Sequence, residues 1–187
     1  MQRLPGSLTR LGVVLSAAAA IVLGAFLSGC DTAPENANEV TEGQGIKLGD
    51  LLYNVQITRI LNPSDAEDKA YLVGQKPLSG DQYYLGVFMK VENEGSASAQ
   101  VADDFTVVDT VGDTFNPIPS KSLFALQPGA TIHGGDQLPE GESTAANGPI
   151  EGSMMLFRIT GSAIEDRPLT LHIPASTGST GEVELDI

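Results

Sequence analysis

Tyr84-Leu85-Gly86-Val87-Phe88-Met89-Lys90-Val91-Glu92-Asn93 is the stretch that decides the fold. Leu85, Val87, Met89 and Val91 fall on one face, and Gly86, Phe88, Lys90 and Glu92 on the other. A period of two in an apolar segment predicts a β-strand with one face in a core. Asn93-Glu94-Gly95-Ser96 then supplies a turn. Upstream, Leu51, Tyr53, Val55 and Ile57 alternate with Leu52, Asn54, Gln56 and Thr58, which predicts an earlier strand. Downstream, Phe105-Thr106-Val107-Val108-Asp109, a turn through Gly112-Asp113 and residues 114–118 read as a hairpin closed by Pro117 and Pro119.

The same punctuation continues to the last residues. Residues 142–146 read as a polar strand, Asn147-Gly148-Pro149 as a turn and residues 154–159 as an apolar strand. Pro168 leads into Leu169-Thr170-Leu171-His172-Ile173, and Val183-Glu184-Leu185 closes the sheet. Within the long connection 61–82, a helical turn near residues 64–69 and a short edge strand at Tyr71-Leu72-Val73 are expected. Seven to eight short strands with frequent turn signals predict an all-β, immunoglobulin-like antiparallel β-sandwich over residues 51–187. The tryptophan and cysteine pair of antibody domains is missing, so the likeness is architectural.

Composition excludes several functions. Acids outnumber bases 24 to 10 in 187 residues, which argues against nucleic acid as a partner because phosphates are neutralised by Lys and Arg. One cysteine allows neither an internal disulfide framework nor a multi-cysteine zinc site.

That cysteine has a particular address. Arg3 and Arg10 precede an uncharged apolar run at residues 11–27, which ends in Leu27-Ser28-Gly29-Cys30. A basic start, an apolar core and small residues before a cleavage point describe a secretory signal peptide, here residues 1–29. The last four residues resemble the lipobox of bacterial lipoproteins. The resemblance implies cleavage between Gly29 and Cys30 and a diacylglycerol on the Cys30 thiol. Two acyl chains anchor stably where one holds only marginally, at roughly 0.8 kcal/mol per buried methylene. The expected location is the extracytoplasmic face of the cell membrane, with the lipid as the membrane contact. Without Arg3 and Arg10, 24 acids face 8 bases, a net charge of −16. Such a surface is expected to stay soluble and to be repelled by anionic headgroups. Residues 30–50 carry Pro34, Asn36, Asn38, Gly43 and five acids, which predicts a flexible lipidated tether with a reach of about 65 Å.

The strand and turn of residues 84–95 also resemble a signature found in a family of secreted bacterial domains. Its hairpin pattern is close to Phe105 through Phe115, and its later turn and strands to Pro128-Gly129, Gly152 through Ile159 and Leu169 through Ile173. The family comprises immunoglobulin-like lipoproteins and secreted immunogenic proteins, many of unknown function. The likeness covers roughly residues 51–173. It implies the same sandwich and an extracytoplasmic address, and it brings no catalytic residues.

Few residues suggest chemistry. Gly141-Glu142-Ser143-Thr144-Ala145 lacks the closing glycine and the strand–helix flanks of a nucleophile elbow. His133 and His172, with Met89, Met154 and Met155, lack metal-ligand spacing, and the methionines fall at core positions. Asp103, Asp104, Asp109 and Asp113 gather around the hairpin and are the candidate calcium ligands. The spacing is not that of an EF-hand loop, and acids at turns commonly bond local backbone. The expectation is therefore a non-catalytic, membrane-anchored lipoprotein that binds an envelope protein and needs no cofactor. The alternative is an extracytoplasmic ligand or calcium receptor using the acidic hairpin.

Overall fold

The computed structural model describes residues 38–175 and 178–187. The expected signal peptide, Gly29, Cys30 and the first part of the expected tether lie outside them. Among the described residues the strands are β1 (Glu39–Thr41), β2 (Gly45–Leu48), β3 (Leu51–Leu61), β4 (Gln82–Asn93), β5 (Ala99–Gln100), β6 (Thr106–Val108), β7 (Thr114–Phe115), β8 (Thr131–Ile132), β9 (Gln137–Leu138), β10 (Ser153–Thr160), β11 (Leu169–Pro174) and β12 (Thr180–Leu185). One short helix, α1 (Gly161–Glu165), joins β10 to β11. One sheet has the order β1-β12-β11-β6-β7, the other β10-β4-β3-β2 with β9 paired to the far end of β4, and β5 pairs β8. The fold is an all-β sandwich.

The face of β4 chosen by its alternation is the inner one. Leu85, Val87, Met89 and Val91 are fully buried and share a core with Val107, Leu171 and Val183 of the facing sheet. Gln56 interrupts the matching alternation of β3, because a bulge between Val55 and Ile57 shifts the register against β4. Beyond the bulge the faces exchange: Ile57 is exposed and Thr58 is buried.

The opposite face of β4 is buried as well. Tyr84 and Phe88 join Leu61, Tyr71, Leu72, Phe124, Met154 and Leu156 in a second cluster. This accounts for the long connection between β3 and β4, which lies over the outside of the sheet and is packed, not free. Tyr71 meets the edges of Phe88 and Phe124, with ring centroids 5.0 and 4.7 Å apart. Residues 71–73 form no strand. The N–H groups of Tyr71 and Leu72 both donate to the carbonyl of Asp68, continuing the 3-10 turn Asp68–Ala70, so they cannot join a ladder.

Asp68 ties this layer to the sheet. Its carboxylate is buried and accepts from Arg59 Nη2 at 2.8 Å and from the Asn62 N–H at 2.7 Å. Asp68→Ala removes both bonds and is expected to cost about 1–3 kcal/mol. Chemical denaturation reads the loss, and proteolysis of residues 62–81 tests whether this layer opens first.

Two further sequence expectations are corrected. Residues 142–146 form turns. Ser143 Oγ donates to the Glu140 carbonyl and accepts from Ala146 N–H, while Asn147 Nδ2 donates to the Gly141 and Ser143 carbonyls. These local bonds occupy backbone groups that a strand would need. The sandwich also begins before residue 51. β1 runs parallel to β12, β2 pairs antiparallel with β3, and Val40, Ile46 and Leu48 are buried in the main core. Ile46 and Leu48 stand at a strand period but in a run too short to announce one, and Val40 is isolated, yet each fills one place on a sheet. Gly43, at φ +87°, makes the turn between β1 and β2. Ile46 and Leu48 pack so closely on Gly181 of β12 that a Cβ there would stand 2.8 Å from Ile46 Cδ1. Gly181→Ala should therefore lower the melting temperature, and a compensating Ile46→Val should recover part of the loss.

Candidate binding surfaces

The four aspartates of the hairpin region separate into two places. Asp109 is 6% exposed, and its Oδ1 accepts from the N–H groups of Val111 and Asp113 at 3.1 and 2.8 Å. It organises the β6–β7 turn, which Gly112 completes at φ +93°. Asp113 is exposed at this turn. Asp103 and Asp104 lie before β6, at the mouth of a cleft of about 760 Å³ between the ends of the two sheets. Among the described residues no three His, Cys, Asp or Glu side chains form a group able to hold a metal ion.

Asp50 borders the same cleft, and its apolar wall is built from Leu48, Leu51, Tyr53, Val101 and Ala102. Tyr53 is the fixed point. Its hydroxyl accepts from the Ala102 N–H at 2.9 Å, and its ring meets Phe105 edge-on. Burial pushes the Tyr53 phenol above its ordinary value, partly opposed by the Ala102 backbone bond, and burial likewise raises Tyr71. The neutral phenol is thus the folded form. Stability from both residues is intact below the usual phenol pKa of about 10 and drains as pH rises beyond it. Unfolding followed between pH 9 and 11 should show this slope, and Tyr53→Phe should flatten it while lowering stability at neutral pH.

The other residues singled out in the sequence are dispersed. His133 Nδ1 lies 2.9 Å from Ser98 Oγ, while His172 on β11 stands opposite Glu182, 4.0 Å away. Met89 and Met155 belong to the main core and Met154 to the second cluster. Ser143 is engaged in its own turn. The sheet edges are guarded too: β1, β2 and β7 have only two to four residues. The longer edge strand β10 bonds residues 117–126, through Ile118 N–H to Leu156 O and Leu126 N–H to Met154 O. Few backbone groups are left there for an added strand.

This arrangement has solved counterparts. The yjhA protein of Bacillus subtilis matches with a TM-score of 0.54 and 17% identity, over 78% of this chain and 99% of that one. MPT63, a secreted protein of Mycobacterium tuberculosis, matches at 0.52 and 14%, over 81% and 99%. An uncharacterized β-sandwich protein of Clostridium difficile matches at 0.50 and 12%, over 82% and 97%. What they share is the fold. No family model and no curated protein sequence matches the chain. Among the described residues no helix is long and apolar enough to cross a membrane.

Proposed function

We propose that this chain is a lipid-anchored, extracytoplasmic β-sandwich that acts by binding a protein component of the bacterial cell envelope and not by catalysis. The observation that carries the reading is Leu27-Ser28-Gly29-Cys30 at the end of the apolar run, only a few residues before the first strand of the sandwich. Support comes from the dispersal of Ser143, His133 and His172, each in a separate local contact. The test is mass spectrometry of the N-terminal peptide, joined to cross-linking in native membranes. Expected are a diacylglycerol on Cys30 as the first residue and one dominant protein partner that is lost in Cys30→Ala. An unmodified Cys30 in a released chain would refute the anchor, and a blank cross-linking profile would refute the protein partner.

A second reading, a receptor for a small ligand, is favoured by the cleft whose lining includes Asp50, Asp103 and Asp104, although among the described residues no three carboxylates there are grouped to hold a metal ion. It moves the site from the hairpin to the cleft, since Asp109 serves the turn. For this reading, a screen of small ligands by melting temperature should find a compound that stabilises the wild type and leaves an Asp103→Asn, Asp104→Asn variant unmoved. Equal behaviour of the two proteins removes it.

A further inference from the structure

The domain is strongly acidic, yet its charge is unevenly spread. Of its basic residues, Lys47, Arg59 and Lys90 are ion-paired with Glu94, Asp68 and Glu151, and Arg167 donates to the Ile187 carbonyl. Among the described residues Lys69, Lys76, Lys121 and Arg158 make no ion pair. The three lysines belong to the layer over the outer face of the β4 sheet, and Arg158 is a half-buried residue of β10 on that same face. Lys69 and Lys76 lie on the connection between β3 and β4, and Lys121 on the strap 117–126. Arg158 stacks over the ring of Tyr84, whose hydroxyl donates to the Lys76 carbonyl.

The two loop segments are held side by side. Ser122 Oγ donates to the Ala70 carbonyl at 2.8 Å, and Gln75 Nε2 to the Pro119 carbonyl at 2.7 Å. The Lys121 stem packs beside Gly74. Both segments are free of acids: none occurs from residue 69 to 80 or from 114 to 135. Asp65, Glu67 and the buried Asp68 precede Lys69, Asp81 follows the first segment, and Glu151, next to Ile150 at the second cluster, is paired with Lys90. Among these cations stand Leu123, 80% exposed, and Val73, 46% exposed.

From this placement we infer that the outer layer is a membrane-docking face, with Leu123 and Val73 entering the headgroup region and Lys76, Lys121 and Arg158 binding anionic lipid headgroups. An apolar tip ringed by cations fits an interface that is anionic outside and apolar beneath. The net negative charge does not forbid it. Acids such as Glu182 and Glu184 lie on the other sheet, across a core layer about 10 Å thick, while charges are screened beyond roughly 8 Å at physiological salt. The inference rests on the lipid-anchored reading for its location, because residues 31–37 reach at most about 25 Å from Cys30.

The absence of tryptophan makes the test direct. Leu123→Trp places a reporter on the docking face, and Glu184→Trp, on β12, places one on the far sheet. The full chain carrying either reporter is reconstituted in vesicles of phosphatidylcholine, with or without 30 mol% phosphatidylglycerol and with brominated acyl chains. The reporter at 123 should be quenched in the anionic vesicles, and several-fold less in neutral ones or after Lys76→Glu with Lys121→Glu. The reporter at 184 should stay unquenched. Equal quenching of the two reporters overturns the docking face. So does an unquenched reporter at 123 whose neighbouring lysines cross-link to an acidic protein. Should mass spectrometry find no lipid on Cys30, the processed chain is read with the same vesicles added at millimolar lipid. Failure of the anchor and failure of the face are thereby separate results.

Discussion

Replacing Phe88 by alanine is expected to destabilise the protein by about 3–5 kcal/mol, as full truncation of a buried aromatic does. Phe88 is 0% exposed and faces away from the main core, against Tyr71 and the rest of the second cluster. If the layer outside the sheet were an ornament, truncation there would loosen a surface segment and leave global unfolding nearly unchanged. If the second cluster is part of one cooperative unit, urea unfolding should remain a single transition with an unaltered slope and a lower midpoint. For a domain of this size the melting temperature should fall by roughly 6–20 °C. A stability loss below 1 kcal/mol, with the layer released separately, would mean that the two cores are independent.

Asn93→Ala is expected to cost about 2–4 kcal/mol, although it removes a polar residue from a turn. The side chain is buried at the end of β4. Its Nδ2 donates to the carbonyls of Ala97 and Ile132 at 2.8 and 2.9 Å, and its Oδ1 accepts from the Gly95 N–H at 3.0 Å. Its own backbone exchanges bonds with residues 135 and 136. One residue therefore fixes the β4 turn against the loop after β8, and truncation strands three backbone groups. Asn93→Asp is the sharper variant. A carboxylate keeps the bond from Gly95 but faces two carbonyls without a proton to offer, so at neutral pH it should be worse than alanine. Acidification should return part of the loss, because protonation restores one donor. Its folded-state pKa is therefore raised, with stability present at low pH and lost as pH rises through it. Equal stability of Asn93→Asp and wild type at pH 7 would disprove this arrangement.

These two residues also mark what sequence alone discloses. Strict alternation from Leu85 to Val91 was enough to choose the inner face of β4, because a strand has only two faces. The burial of Phe88 and Tyr84 on the other face was not legible, since their cover comes from turns with no period of their own. Composition points to a tether over residues 39–48 because Val40, Ile46 and Leu48 are too few among acids and glycines to announce a strand, and only tertiary partners reveal their faces. The bulge at Gln56 was hidden for the related reason that one inserted residue leaves composition unchanged. For the candidate sites, closeness in sequence misled. Asp103 and Asp109 are six positions apart, yet one borders a cleft and the other holds a turn. The segregation of cations needed the packing of residues 69–76 against 117–124, which no local pattern announces.

The parallel pairing of β1 with β12 has a bearing on when the protein acquires its shape. β12 lies between β1 and β11, so the opening strand of the sandwich finds its neighbour only after some 140 further residues have been made. Until Val183 and Leu185 arrive, the hydrophobic floor beneath Val40 and Ile46 has no closing wall. A ribosome stalled before residue 180 should consequently hold a chain that proteases still cut near residue 40. Resistance there should appear in one step once the final strand is free to dock.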